Sequence, residues 1–300
     1  MASWQGCVND LMTNYGQSEA TIPLLLEVLN VLPEEANASR VCVHPERRQR
    51  FLQELTDARQ QVAAYLEQVY QNATAKADAS TQEKVMSCLF GWLRWDIMVA
   101  RELTQSVLLT APFEALGGGY KLFDVAKDVI CELLRSSEDV QRDTAVVQIL
   151  VPRVMSLAPA YDQAVAKQDE GNNEEIVRGL CYIFSELAES YLELLLQATP
   201  DTMQFVQLLC KCAANAEAEV ARRTFDFWYR LMKAICDRDG RYNRSEQEVA
   251  RRLGALPLPV SPHPSSLPVA DRTTKGSLHA VLHYCVRSCS AATQMPRGFR

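Results

Sequence analysis

Apolar residues recur along most of this chain at spacings of three and four, which is the period of an α-helix. The cleanest example covers residues 122–134, and similar patterns predict helices over residues 22–32, 51–69, 84–95 and 176–195. Hardly any segment alternates between apolar and polar residues as a half-buried strand does. The pattern therefore predicts an all-α protein.

Helix-breaking residues divide these patterns. Pro33 is expected to end the first helix, with a loop from Glu34 to Pro45, and Pro200 is expected to stop the helix before it. The polar run 136–139 is expected to break the 122–134 helix and to cap the next one. That next helix carries Pro152, where we expect a kink.

The stretch 220–235 is the richest in aromatic residues and is predicted to be one helix. Its apolar positions form two neighbouring stripes, and Trp228 lies at the centre of one of them. An apolar face of that width needs cover on two sides, which the interior of a stacked helical array provides. We therefore expect Trp228 to be buried in such an array.

Helix pairs recur at intervals of roughly 40 to 60 residues without a strict sequence repeat. This spacing is typical of HEAT repeats rather than tetratricopeptide or ankyrin units, and it predicts a right-handed superhelical solenoid over residues 1–239. A single irregular helical bundle is the alternative architecture. It fits less well because the apolar faces do not reduce to one stripe per helix.

Residues 240–300 have a different character and are predicted to form a Pro-rich, basic tail without stable structure. Five prolines lie between residues 257 and 268, and the helical period is lost. The net charge of the whole chain is −6, whereas residues 256–300 carry +4, which leaves −10 for residues 1–255. An acidic body argues against nucleic-acid binding and suits a basic protein partner.

Signals for secretion or membrane insertion are missing from the pattern. The first residues lack a basic start followed by an apolar core, and no uninterrupted apolar run approaches the roughly 18 residues of a membrane span. Ten cysteines are scattered through the sequence, mostly within apolar helical patterns, so we expect buried, reduced thiols.

Candidate catalytic and metal-binding motifs fail on their spacing. Residues 117–121 lack the glycine spacing of a phosphate loop, and residues 237–248 have Tyr242 where a calcium loop needs glycine. Four potential zinc ligands cluster in the tail, but two pairs so close together cannot face one ion from a single helix; they are His279, His283, Cys285 and Cys289. We therefore expect no enzymatic activity, no metal and no cofactor.

Four sequence motifs carry a family resemblance. They are Ser3–Val8 (Ser-Trp-Gln-Gly-Cys-Val), the run 23–35 containing Leu-Pro-Glu-Glu, Ala160–Ala166, and the run 224–231 containing Phe-Trp-Tyr-Arg. Together, and in this order, they resemble the transportin-SR (transportin-3-like) branch of the importin-β superfamily, with importin-13 as a close relative. The resemblance covers about residues 1–240.

This resemblance implies a HEAT-repeat karyopherin that shuttles between cytoplasm and nucleus. Such receptors pass nuclear pores by contacting nucleoporins, and they release cargo when the GTP-bound form of Ran binds. In this branch the cargoes are splicing factors with arginine–serine-rich segments, and nucleic acid and membrane are not partners. A HEAT-repeat scaffold or regulatory subunit without a Ran cycle is the alternative function.

Family members are several times longer than this chain. The resemblance implies that the chain begins partway into the family sequence and lacks both the first, Ran-binding repeats and the C-terminal cargo-binding repeats. Because family receptors use acidic interhelical loops against basic Ran, the candidate partner-binding residues are the acids of one such loop: Asp169, Glu170, Glu174 and Glu175.

Overall fold

The structure is a computed structural model that describes residues 6–38, 44–167, 171–197 and 199–238. Within these ranges all regular structure is helical, as predicted. The chain divides into two compact units, Met1–Ser190 and Tyr191–Arg300. The predicted tail, 240–300, lies outside the described residues.

The described residues of the first unit contain nine α-helices and two short 3-10 helices, Ala100–Leu103 and Val107–Leu109. The α-helices are α1 (Cys7–Tyr15), α2 (Ile22–Asn37), α3 (Pro45–Ala75), α4 (Ala79–Arg94), α5 (Ala111–Ala115), α6 (Tyr120–Arg135), α7 (Thr144–Met155), α8 (Ala158–Ala166) and α9 (Asn173–Ser190). The second unit contributes α10 (Leu192–Leu195), α11 (Pro200–Ala213), α12 (Ala218–Arg223) and α13 (Phe225–Arg238).

Four helices of the first unit, α2, α4, α6 and α9, form a row, and neighbours in this row make the most extensive helix contacts of the described residues. The remaining helices form a second layer: α3 contacts α1, α2 and α4, α5 contacts α6, and α7 and α8 contact α9. Contacts between alternate elements, repeated along the chain, are the mark of a helical-repeat array. The predicted HEAT-type architecture is therefore confirmed for these residues.

The four helices of the row run parallel to one another. Glu27 of α2 pairs with Lys84 of α4, and further along the same two helices Leu29 meets Trp92. At the other end of the row, contacts between α6 and α9 advance in the same direction from Phe123–Gly179 to Arg135–Glu186. Equivalent ends of the row helices consequently lie side by side.

Pro33 does not end α2, which contradicts the expectation from sequence. The helix continues to Asn37 with Pro33 inside it. Proline has no N–H, so the carbonyl of Leu29 loses the donor that residue 33 would supply. The buried indole N–H of Trp92 donates to that carbonyl instead, at 2.9 Å, and this contact from α4 compensates the missing bond.

The aromatic stretch is also not one helix. It breaks at Thr224, between α12 and α13. The buried Thr224 hydroxyl donates to the carbonyl of Ala221 at 2.9 Å and accepts from the indole N–H of Trp228 at 3.1 Å. Trp228 is buried, as expected, and the stripe that contains Phe227 is the better covered of the two.

The predicted cap at residues 136–139 belongs to the helix before it. The buried Ser137 hydroxyl donates to the carbonyls of Leu133 and Leu134 at the end of α6, and α7 begins only at Thr144. Pro152 lies inside α7, which ends at Met155. The segment 176–195 is interrupted as well, because α9 ends at Ser190.

Candidate partner-binding surface

The row helices of the first unit carry exposed charged and polar side chains. We call the exposed side chains of α2, α4, α6 and α9 the row surface. Both carboxylates and cations lie on it, among them Glu27, Lys121, Asp124 and Arg178. A surface of this kind can recognise a partner by charge without presenting a catalytic group.

Two of the four predicted partner-binding acids lie on this surface. Glu174 and Glu175 occupy the first turn of α9, and both carboxylates accept from the guanidinium of Arg178. Acids in a first helical turn also stabilise the positive end of the helix dipole. Asp169 and Glu170 lie outside the described residues, so the partner-binding role of all four acids stays a prediction.

A partly exposed ion-pair cluster connects two of the row helices, α6 and α9. The guanidinium of Arg135 at the end of α6 donates to Glu132 at 2.7 Å and to both oxygens of Glu186 on α9. Burial raises the pKa of Glu132, and the charge of Arg135 partly offsets that rise. The pKa of Arg135 is itself raised, chiefly by its hydrogen bonds to Glu186. This cluster fixes α9 against α6.

A groove with two cavities runs along α4, with α2 and α6 as its walls. The first cavity, about 270 Å³, is lined by the paired Glu27 and Lys84 together with Glu83 and Lys121. The second, about 480 Å³, lies over the C-terminal half of α4 and contains Trp95. Asn30 and Ser87 line both cavities, so the two form one continuous groove.

Sequence reasoning missed this groove because its members look unremarkable along the chain. Val31 belongs to the apolar pattern of α2 yet is 45% exposed. Trp95 closely follows the fully buried Trp92, but it lies just past the end of α4 and is 37% exposed. The one available signal is an excess of apolar residues in α2, which also leaves Leu24 and Val28 exposed.

A further cavity of about 280 Å³ lies in the second layer, between α3 and the two 3-10 helices. Its apolar lining comes from Ala63, Ala64, Met98 and Leu103. The Arg59–Glu102 salt bridge, at 2.8 Å, contributes polar lining. This cavity offers a small site of mixed apolar and polar lining in the second layer.

Of the six cysteines whose side chains the structure describes, five are buried and one, Cys210, is partly exposed; all six are free thiols. Burial raises the pKa of Cys88 and of Cys131, which keeps both thiols protonated and unreactive. Within the described ranges no group of three or more His, Cys, Asp or Glu side chains is placed to hold a metal ion. The potential zinc ligands of the tail lie outside those ranges.

One stretch of the described chain is long and apolar enough to cross a membrane by length and composition alone. It is Thr144–Ala166, which comprises α7, α8 and the turn between them, with a mean hydropathy of 1.2. Core helices of soluble proteins pass the same test, and both α7 and α8 pack on α9. The expectation that membranes are not partners stays a prediction.

Two family models match successive parts of the chain. One, described as an exportin 1-like protein, matches residues 1–130. The other, described as the transportin-3/importin-13 second TPR domain, matches residues 172–253 and so extends past the predicted boundary at residue 239. The first match includes the motifs at residues 3–8 and 23–35, and the second includes the motif at residues 224–231.

Proteins similar to the chain include a transportin, an mRNA transport regulator and an importin. Transportin MOS14 of Arabidopsis thaliana is 27% identical over 229 residues, 73% of this chain and 22% of its own length. The mRNA transport regulator MTR10 of Saccharomyces cerevisiae is 24% identical over 77% of this chain and 25% of its own length. Human importin-13 is 25% identical over 89% of this chain and 28% of its own length. The chain thus spans about a quarter of the length of these relatives.

Proposed function

The chain belongs to the importin-β superfamily, and from this membership we propose that it forms part of a nuclear import receptor. The proposed receptor carries protein cargo with arginine–serine-rich segments into the nucleus under the control of Ran-GTP. It moves between cytoplasm and nucleus and binds nucleoporins on the way. The main support for this proposal is the pair of family matches, which follow one another along a helical array with an exposed polar surface.

The shape and lining of the row surface suit a protein partner better than a small molecule. Its cavities are open grooves between parallel helices, lined by charged and polar side chains from three helices. Acids outnumber bases in residues 1–255, which favours association with a basic partner such as arginine-rich cargo or Ran. The acids Asp169, Glu170, Glu174 and Glu175 are our candidates for the Ran contact.

The second layer supports a separate contact with nucleoporins. Its cavity between α3 and the 3-10 helices is lined in part by alanine, methionine and leucine, with charged and polar side chains around them. A pocket of this size accommodates one apolar side chain of a flexible partner segment. Because the cavity lies away from the row surface, cargo and nucleoporin can be bound at the same time.

The decisive experiment is depletion of the gene product in cells that express two fluorescent import reporters. One reporter carries an arginine–serine-rich segment and the other a short lysine-rich nuclear localisation signal. We expect depletion to slow nuclear entry of the first reporter only. Equal entry of both reporters in depleted cells would refute the import proposal and favour a scaffold without a Ran cycle.

A binding measurement on the 300-residue chain separates Ran control from cargo transport. A few contacts supply most of the affinity of a protein interface. This chain spans about a quarter of the length of its relatives and therefore offers only some of the contacts that a receptor of their length would make. We therefore expect weak binding of Ran-GTP, with a Kd above about 1 µM, and weaker binding of Ran-GDP. Equal affinity for the two nucleotide states would argue against Ran control.

A further inference from the structure

The larger cavity over α4 has a shape and a composition that select one kind of side chain. We propose that this cavity binds a single arginine side chain of a partner protein. This inference rests on the proposed function, since it names what part of a cargo or other protein enters the row surface. The cavity has a volume of about 480 Å³ and receives residues from α2, α4 and α6.

The floor of the cavity is formed by Gly91 of α4 and Asn30 of α2, which pack closely together. Gly91 is buried there, and a Cβ atom at this position would lie 2.8 Å from the Oδ1 atom of Asn30. The glycine thus lets α2 and α4 approach closely beneath the cavity. Val31 and Val125, from the two walls, add an apolar lining that suits the methylene stem of a long side chain.

An aromatic surface is available at the end of the cavity. Trp95 lies just beyond the last turn of α4 and is 37% exposed. Its neighbour Arg94 already stacks over the ring of Phe90, with the guanidinium carbon 5.5 Å from the ring centre. The chain itself therefore shows a guanidinium stacked on an aromatic ring in this cavity, and Trp95 offers a second, better ring for the same contact.

Charge favours a cation in this position. Glu34 lines the cavity and forms no salt bridge among the described residues, and Asp128 lies on the opposite wall. Asp128 shares Lys127 with Asp124, at 3.3 Å and 2.6 Å respectively, so this group of three keeps one uncompensated negative charge. Arg94 contributes one positive charge, which leaves the lining and its immediate neighbours with a net charge of −1.

Helix direction adds to this negative potential. Because α2 and α4 run parallel, their C-terminal halves lie together at the cavity. Helix C-termini carry a partial negative charge. Arginine fits better than lysine, since its planar guanidinium both stacks on an indole ring and donates two hydrogen bonds to one carboxylate.

The test measures fluorescence anisotropy of a fluorescein-labelled hexapeptide of alternating glycine and arginine, titrated with the full 300-residue chain. Two matched peptides replace arginine by lysine or by citrulline, the neutral isostere of arginine. We expect the arginine peptide to bind best and the citrulline peptide to bind at least roughly tenfold more weakly, as the loss of a charge-assisted contact predicts. Equal binding of the arginine and citrulline peptides would overturn the proposal, as would no binding up to about 1 mM.

Two substitutions then locate the site. Glu34→Gln and Trp95→Ala each should weaken the arginine peptide roughly five-fold or more, because one removes the charge partner and the other the stacking surface. Asp57→Asn, which removes the same charge from an exposed position of α3, is the matched control and should change the Kd less than about two-fold. Wild-type affinity in both cavity variants would place the peptide elsewhere and refute the assignment.

Failure of this inference can be told apart from failure of the proposed function. Far-ultraviolet circular dichroism confirms that the variants remain folded, since both side chains are at the surface. If the peptide binds in the cavity but depletion leaves cargo entry unchanged, the receptor proposal fails while the cavity assignment stands. If import depends on the gene product but both cavity variants keep wild-type peptide affinity, only the cavity assignment fails.

Discussion

The contact between Trp92 and Leu29 allows a quantitative prediction, because it substitutes for a bond that α2 cannot make by itself. Pro33 has no N–H to donate to the Leu29 carbonyl, and the Trp92 indole does so at 2.9 Å from the neighbouring helix. In Trp92→Phe that buried carbonyl is left without a donor and a small void opens. We expect the free energy of unfolding to fall by about 2–4 kcal/mol.

The same substitution should cost less when residue 33 can donate for itself. In a Pro33→Ala background, the backbone N–H at position 33 restores the helical bond to the Leu29 carbonyl. The cost of Trp92→Phe should then shrink by about 1 kcal/mol, which is the net value of one hydrogen bond. The remainder is the packing loss, which is common to both backgrounds.

A double-mutant cycle measures this coupling. The four proteins are unfolded in urea and followed by circular dichroism at 222 nm, since the substitution removes a tryptophan and fluorescence would not compare like with like. Trp92→Phe should be visibly less destabilising in the Pro33→Ala background than in the wild-type chain. Equal costs in the two backgrounds, within about 0.3 kcal/mol, would refute the idea that Trp92 compensates for the proline.

Three further substitutions test other parts of the structure. Thr224→Val should lower the free energy of unfolding by about 1–3 kcal/mol in urea titrations, because it leaves the buried indole N–H of Trp228 without an acceptor. Arg135→Gln should cost about 1–3 kcal/mol at pH 8, a moderate value because Arg135 is itself 42% exposed. Without that cation the folded-state pKa of Glu132 rises further above its unfolded value, so the deficit should shrink as the pH is lowered to 5; an unchanged deficit at pH 5 would contradict this reasoning. The double substitution of Leu24 and Val28 by serine should change the free energy of unfolding by less than about 0.5 kcal/mol, because both side chains are exposed. It removes an exposed apolar stripe, so it should also reduce self-association in sedimentation velocity; unchanged self-association would show that another surface mediates it.

Helix positions can be predicted from the sequence wherever burial alone determines the pattern. A 3.6-residue period predicts a helix over residues 122–134, and α6 covers them from Tyr120 to Arg135. The prediction fails where a side chain from elsewhere changes the outcome. Pro33 ends a helix in isolation, but Trp92, far away in the sequence, supplies the donor that lets α2 continue. Local rules cannot include that contact.

The break at Thr224 illustrates the opposite case. Threonine is compatible with a helix, and the apolar period runs through it without interruption. The helix nonetheless stops, because the Thr224 hydroxyl bonds to the Ala221 carbonyl and to the indole of Trp228. Side-chain bonds of this kind compete with the helical backbone, and the period of apolar residues carries no information about them.

The groove over α4 lay beyond sequence reasoning for a geometric reason. The row helices begin at Ile22, Ala79, Tyr120 and Asn173, so successive members are 57, 41 and 53 residues apart. Unequal intervals hide the repeat, yet parallel packing still brings Glu34, Trp95 and Asp128 to one cavity. The intervening segments differ in length without altering which turns of the helices meet. It follows that the register between the helices determines the cavity, through contacts such as Trp92–Leu29 and Gly91–Asn30. A substitution at one of these two contacts should therefore disturb the cavity more than a change in loop length.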